Sequence, residues 1–163
     1  MIFNVHDKQA YCYTGGKAFD ASLPTIVFIH GAQNDHSVWA LQSRYFAHHG
    51  FGVLAVDLPG HGRSAGPALA SVEDMAAWVL ALLDAAGVSR AILAGHSMGS
   101  LIALEASHRA PSRVSALALL GTTFPMKVSD ALLETARADE QSAIDMVNIF
   151  SHARPSSPVP GMH

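Results

Sequence analysis

The chain has 163 residues, half of them hydrophobic and 14% charged, with a formal net charge of −3 when its histidines are neutral. That length supports one domain with a buried core, and the composition excludes a disordered chain. The lysines and arginines form no cluster, so no nucleic-acid footprint is expected, and the single cysteine, Cys12, excludes an internal disulfide.

Met1–Asp7 carries no basic stretch followed by an apolar one, so no secretory signal is read. No apolar run reaches the length of a membrane span, and a cytoplasmic location is expected. Ile2–Val5 and Ala10–Thr14 read as two strands joined at His6-Asp7-Lys8-Gln9. Thr25–Ile29 is a continuous β-branched and aromatic run, suited to a strand buried on both faces of a parallel sheet. Ser37–His49 reads as a helix stopped by Gly50, with Val38, Leu41, Tyr45 and Phe46 as its inward face. Val53–Val56 is the next buried strand. Ser71–Ala86 reads as a helix capped by Ser71, ended by Gly87, and apolar along Val72, Met75, Ala76, Val79 and Leu83. Ala91–Ala94 and Val114–Leu120 are further strands, with a helix over Met98–Ala110 between them. Strands alternating with helices in this way give a doubly wound, mostly parallel α/β sheet behind an antiparallel hairpin. In such sheets ligands bind at the carboxyl ends of the strands.

Three motifs sit at those ends. Gly95-His96-Ser97-Met98-Gly99 lies between a strand and a helix, the setting of a nucleophile elbow. Such a turn strains the serine backbone and brings neighbouring chain close to both glycines. The bland alternative is a plain turn with Ser97 as a helix N-cap. His30-Gly31 follows the Thr25–Ile29 strand. There Ala32 is a candidate backbone oxyanion donor together with Met98, with His30 and Gly31 supporting the loop. Asp57-Leu58-Pro59-Gly60-His61-Gly62-Arg63-Ser64 follows the next strand and reads as a fixed loop, with Asp57 and Arg63 as a structural pair. Its Gly60-His61-Gly62 lacks the spacing of a dinucleotide fingerprint.

In order and spacing, Ile29-His30-Gly31, the Asp57–Ser64 loop and the Gly95–Gly99 elbow resemble the α/β-hydrolase superfamily. The resemblance covers roughly residues 1 to 125. It implies an α/β-hydrolase core over 1–122, the start of a helical cap over 123–150, and a Pro/Ser-rich, disordered tail over 151–163. Ser97 in place of an aspartate points away from haloalkane dehalogenases and epoxide hydrolases. It leaves esterases, monoacylglycerol lipases, carbon–carbon hydrolases and cofactor-free haloperoxidases.

In this family the acid and histidine of the triad follow the serine in the chain. The acids after Ser97 (Glu105, Asp130, Glu134, Asp139, Glu140 and Asp145) fall on predicted helices or at their ends. His108 falls on the helix after the elbow, and His152 and His163 in the tail. No triad acid or base is visible, which suggests a fold truncated before its last strands. A fragment or disrupted reading frame is expected ahead of a genuine short non-catalytic member. The uncovered sheet edge is expected to self-associate.

The sequence therefore implies a serine hydrolase acting on a small-molecule ester or related acyl substrate, with no cofactor and no metal. The alternative is a non-catalytic binding module on the same scaffold. A metal enzyme is disfavoured because the ten histidines lack paired ligand spacing.

Overall fold

The computed structural model describes residues 1–151. These divide into two compact units that part between Thr123 and Phe124.

The first unit is built on a six-stranded sheet of order β1-β2-β4-β3-β5-β6. Strands β1 (Ile2–Val5) and β2 (Lys8–Tyr13) form the antiparallel hairpin, with Val5 opposite Lys8. The turn is only His6-Asp7, shorter than the four residues expected. Both have left-handed φ, 50° and 60°, as a two-residue type I′ turn requires. β2 also pairs antiparallel with β4 (Gly52–Val56). The remaining pairings, among β4, β3 (Thr25–Ile29), β5 (Ala91–His96) and β6 (Val114–Leu120), are parallel.

Every residue of β3 and β4 is buried, as their unbroken apolar runs predicted. Alternate side chains feed two cores. Val27, Ile29, Leu54, Val56 and Leu93 join the larger one with helices α2 (Val72–Ala85) and α3 (Met98–Arg109). Ile26, Phe28, Val53, Ala55 and Ala94 join the smaller one on the opposite face, with Trp39 and Ala47. Helices thus cover both faces, as a doubly wound sheet demands.

α2 follows its sequence closely. The Ser71 side chain accepts the Asp74 N–H at 3.0 Å, and Glu73 and Asp74 occupy the positive first turn. Met75, Ala76, Trp78, Val79, Leu82 and Leu83 are buried. Each large apolar side chain in that set contributes about 1.5–3 kcal/mol by leaving water.

The first helical segment differs from expectation. His36–Trp39 is a 3₁₀ turn, followed by α1 (Ala40–Ala47). Its inward residues are Trp39, Ser43 and Ala47, whereas Val38, Leu41 and Tyr45 face solvent and Phe46 is half-buried. The cause is a close approach. A Cβ at Gly15, itself at φ 71°, would overlap the Ser43 carbonyl and come 2.6 Å from the Ala47 Cβ. A helix seated that tightly on backbone accommodates only small residues inward, so its large ones turn out.

The second unit contains α4 (Asp130–Ala138) and α5 (Glu140–Ser151). Ser129 caps α4 through the Leu132 N–H at 3.2 Å. Asp139 separates the helices and accepts from Gln141 N–H at 3.1 Å and from the Ser142 hydroxyl at 2.5 Å. Those bonds hold its carboxyl below the usual carboxylate range. The expected tail over 151–163 falls, beyond Ser151, outside the described residues.

Candidate active site

Ser97 joins β5 to α3 with φ 53° and ψ −121°. This conformation is costly for a residue with a Cβ, by about 1–3 kcal/mol, and persists only where surroundings enforce it. Here they do. The Ser97 N–H donates to the Leu120 carbonyl on β6 at 2.9 Å. Its carbonyl accepts from the Ser100 N–H at 2.9 Å and the Ser100 hydroxyl at 2.5 Å.

Both elbow glycines are required by backbone contact. A Cβ at Gly95 would overlap the Gly99 carbonyl, and one at Gly99 would overlap the carbonyls of Ile29 and His30. The turn is therefore wedged against the end of β3. Ser97 stands at the N-cap position of α3, yet its side chain makes no capping hydrogen bond. Ser71 and Ser129, at the same position of α2 and of the helix after residue 129, do cap with their side chains. Met98 opens the helix and is half-buried. Its N–H belongs to the first turn, where donors lack intrahelical partners and the dipole favours negative charge.

The loop after β3 passes beside the serine. A Cβ at Gly31 would lie 3.3 Å from the Ser97 Cβ. Gly31, Ala32, Gln33 and Asn34 form a turn closed by the Asn34 N–H on the Gly31 carbonyl at 3.4 Å. Ala32 is exposed there, and Gln33 adopts φ 60°. His30 is fully buried. With its hydrogen on Nδ1, the ring donates to the Gly31 carbonyl at 2.7 Å and accepts the Leu58 N–H at Nε2 at 3.1 Å. It thus ties the tip of β3 to the loop after β4. Burial holds its pKa below the usual histidine range, against the opposing pull of the Gly31 carbonyl.

His96, next to the serine, is exposed. Its ring lies between Gly31 and Gly121, where added Cβ atoms would come 3.4 Å from Nδ1 and 3.4 Å from Nε2 respectively.

The Asp57–Ser64 loop is fixed, but not as a side-chain pair of Asp57 with Arg63. The buried Asp57 carboxylate accepts the Arg63 backbone N–H, at 2.8 Å. The Arg63 guanidinium instead reaches the Tyr11 hydroxyl at 3.2 Å and lies over the Tyr11 ring, 5.0 Å from its centroid. The side chain that does meet Asp57 is His36, with Nδ1 2.8 Å from Oδ1. Sequence reading missed His36, because its partner lies 21 positions away and no local spacing signals the contact. Asp35, His36 and Asp57 are the described group whose ligand atoms, within 4.8 Å of one another, could surround a metal. Those atoms are already engaged in hydrogen bonds, with Asp35 Oδ1 accepting the Ser37 N–H at 2.7 Å.

The later acids have local roles. Glu105 pairs with Arg109 at 2.6 Å on α3, and Asp145 accepts from Gln141 at 3.2 Å on α5. Asp139 lies between α4 and α5, Asp130 and Glu140 open those helices, and Glu134 lies on α4. His108 is in the last turn of α3, while His152 and His163 lie outside the described residues. No helix among the described residues is long and apolar enough to cross a membrane.

A family model described as alpha/beta hydrolase fold matches residues 24–150. The chain belongs to the α/β-hydrolase family. It is 32% identical over 124 residues to an (E)-2-((N-methylformamido)methylene)succinate hydrolase from Acinetobacter baylyi, a match covering 74% of this chain and 47% of that protein. It is 31% identical over 137 residues to an epoxide hydrolase from Caballeronia sordidicola, covering 82% of this chain and 41% of that one. An esterase from Exiguobacterium antarcticum shares the fold, with a TM-score of 0.79 at 23% identity, over 95% of this chain and 63% of that one. The chain therefore spans less than half the length of these two sequence relatives.

Proposed function

We propose that this α/β-hydrolase chain carries the nucleophile and oxyanion-binding part of a serine hydrolase acting on carboxylic esters or related acyl compounds. The carrying observation is Ser97, held at left-handed φ between β5 and α3, with backbone contact requiring glycine on both sides of the turn. The Ser97 hydroxyl attacks the acyl carbonyl, and its proton passes to a base. The carbonyl oxygen becomes an oxyanion held by the Met98 and Ala32 N–H groups. Collapse expels the alcohol and leaves an acyl-enzyme, which water hydrolyses to the acid and free Ser97.

Hydrolase relatives support this reaction class, and Ser97 supports the ester rather than the epoxide branch. The sequence after Ser97 offers no histidine–acid pair on loops that follow later strands, so the 163-residue chain is expected to turn over slowly. Oxyanion and binding effects alone leave roughly 10³–10⁴-fold over water. The second reading, a binding module on the same scaffold, is favoured by that missing pair.

A fluorophosphonate probe followed by peptide mass mapping separates the two. An adduct on Ser97, absent in Ser97→Ala, is the expected result. A folded chain that gives no adduct at any probe concentration overturns the nucleophile assignment and leaves the binding module.

A further inference from the structure

The two N–H groups assigned to the oxyanion are held by different means. That of Met98 is fixed by the helix it opens. That of Ala32 sits in a loop, where the peptides before and after Ala32 must aim it. In a trans peptide the carbonyl and the following N–H point in opposite directions. The partners of the Gly31 carbonyl therefore set where the Ala32 N–H points. That carbonyl accepts from His30 Nδ1 at 2.7 Å and from the Asn34 N–H at 3.4 Å. The next carbonyl, of Ala32 itself, accepts from Asn34 Nδ2 at 3.1 Å. Asn34 thus grips both peptides that flank Ala32, one through its backbone and one through its side chain. Gln33 between them takes φ 60°, the left-handed bend that turns Asn34 back onto the two carbonyls. The N–H groups of Ala32 and Gln33 meet no acceptor among the described residues. Successive free N–H groups at such a turn form an anion-binding concavity. This one lies beside the nucleophile, since a Cβ at Gly31 would be 3.3 Å from the Ser97 Cβ.

We infer that Asn34 is a positioning residue for the acyl transfer, whose side-chain amide holds the Ala32 N–H toward the oxyanion. Its role depends on Ser97 as nucleophile and Ala32 as donor, as proposed above. With the carbonyls before and after it both held, Ala32 has neither φ nor ψ free to swing its N–H. The backbone bond at 3.4 Å lies beyond the usual hydrogen-bond range and holds the turn weakly. The side-chain bond at 3.1 Å is the firmer of the two made by Asn34. Only an amide suits the place, because a carboxylate there has no hydrogen to donate to the Ala32 carbonyl.

Asn34→Asp keeps the shape and removes the donor, and Asn34→Ala removes the donor without adding charge. Fluorophosphonate labelling reads the oxyanion site: Ser97 Oγ bonds to phosphorus, fluoride leaves, the hydroxyl proton passes to solvent, and charge builds on the phosphoryl oxygen. In both variants the maximal labelling rate should fall roughly ten- to hundredfold. The probe concentration giving half that rate, and the urea midpoint, should stay close to those of the parent chain. Backbone amide relaxation gives a readout independent of labelling, with the Ala32 and Gln33 order parameters falling from about 0.85 to below about 0.6. A parent chain labelled on Ser97, with an equal rate in folded Asn34→Ala, overturns the role of Asn34 and leaves the nucleophile standing. A parent chain that gives no adduct removes the nucleophile and the role of Asn34 with it. Unchanged order parameters in both variants overturn the role too, as does a rate loss that merely follows a lowered urea midpoint.

Discussion

The buried Asp57 carboxylate grips His36 twice through one oxygen, with the backbone N–H at 2.7 Å and Nδ1 at 2.8 Å from Oδ1. Its other oxygen accepts the Arg63 N–H at 2.8 Å. One side chain thus joins the loop after β3 to the loop after β4. Asp57→Ala leaves those donors unsatisfied and should cost about 3 kcal/mol. Asp57→Asn keeps one acceptor for His36 and should cost about 1–2 kcal/mol. Urea midpoints of the two variants, compared at constant m, check the order.

Ser97→Gly should move stability and reactivity in opposite directions. Glycine adopts φ 53° without strain. Relief of the elbow, offset by the greater freedom of glycine in the unfolded chain, should raise stability by about 1 kcal/mol. Fluorophosphonate labelling should vanish. A lower denaturation midpoint would show that the backbone there is not strained.

His30 predicts a pH dependence of stability. Its pKa is lowered in the folded state, mainly by burial. The unfolded chain therefore takes up protons first as pH falls. The stability from neutral His30 is complete above the ordinary histidine value near 6.5 and is lost progressively below it. Urea titrations from pH 8 to 5 should show a fall that is shallower in His30→Gln.

Cys12 should be inert in the folded protein. Its thiol is fully buried, and burial pushes its pKa up to about 12. Aromatic disulfide reagents should react only in denaturant, with one thiol per chain. Fast reaction in buffer would place Cys12 outside the core.

The fold was legible where the local signals did not conflict. β3 and β4 are apolar throughout because both faces are covered, and α2 shows a cap, an apolar stripe and a terminal glycine that agree. The elbow was legible because glycine is demanded at both ends. α1 was not, because its sequence is apolar on two sides and the choice rests with Gly15, more than twenty residues earlier. His36 was equally opaque, since its role comes from a carboxylate in the loop after β4. The Asp57 and Arg63 pairing was read as side chain to side chain, although the backbone N–H makes the contact and Tyr11 takes the guanidinium.

β6 ends the sheet, and its Leu119 and Leu120 are 39% and 43% exposed. Val114–Leu120 contains no charge and no proline to block edge pairing. We propose that the chain self-associates through this edge. Sizing chromatography should show concentration-dependent oligomers that Leu119→Lys reduces. A monomer that persists at high concentration in the parent chain would refute the edge pairing.

The Ser97 amide hangs from the Leu120 carbonyl, on the outermost strand. The bond extends the β5–β6 ladder by one rung, so the nucleophile's own backbone is stitched into the last strand of the sheet as well as into α3.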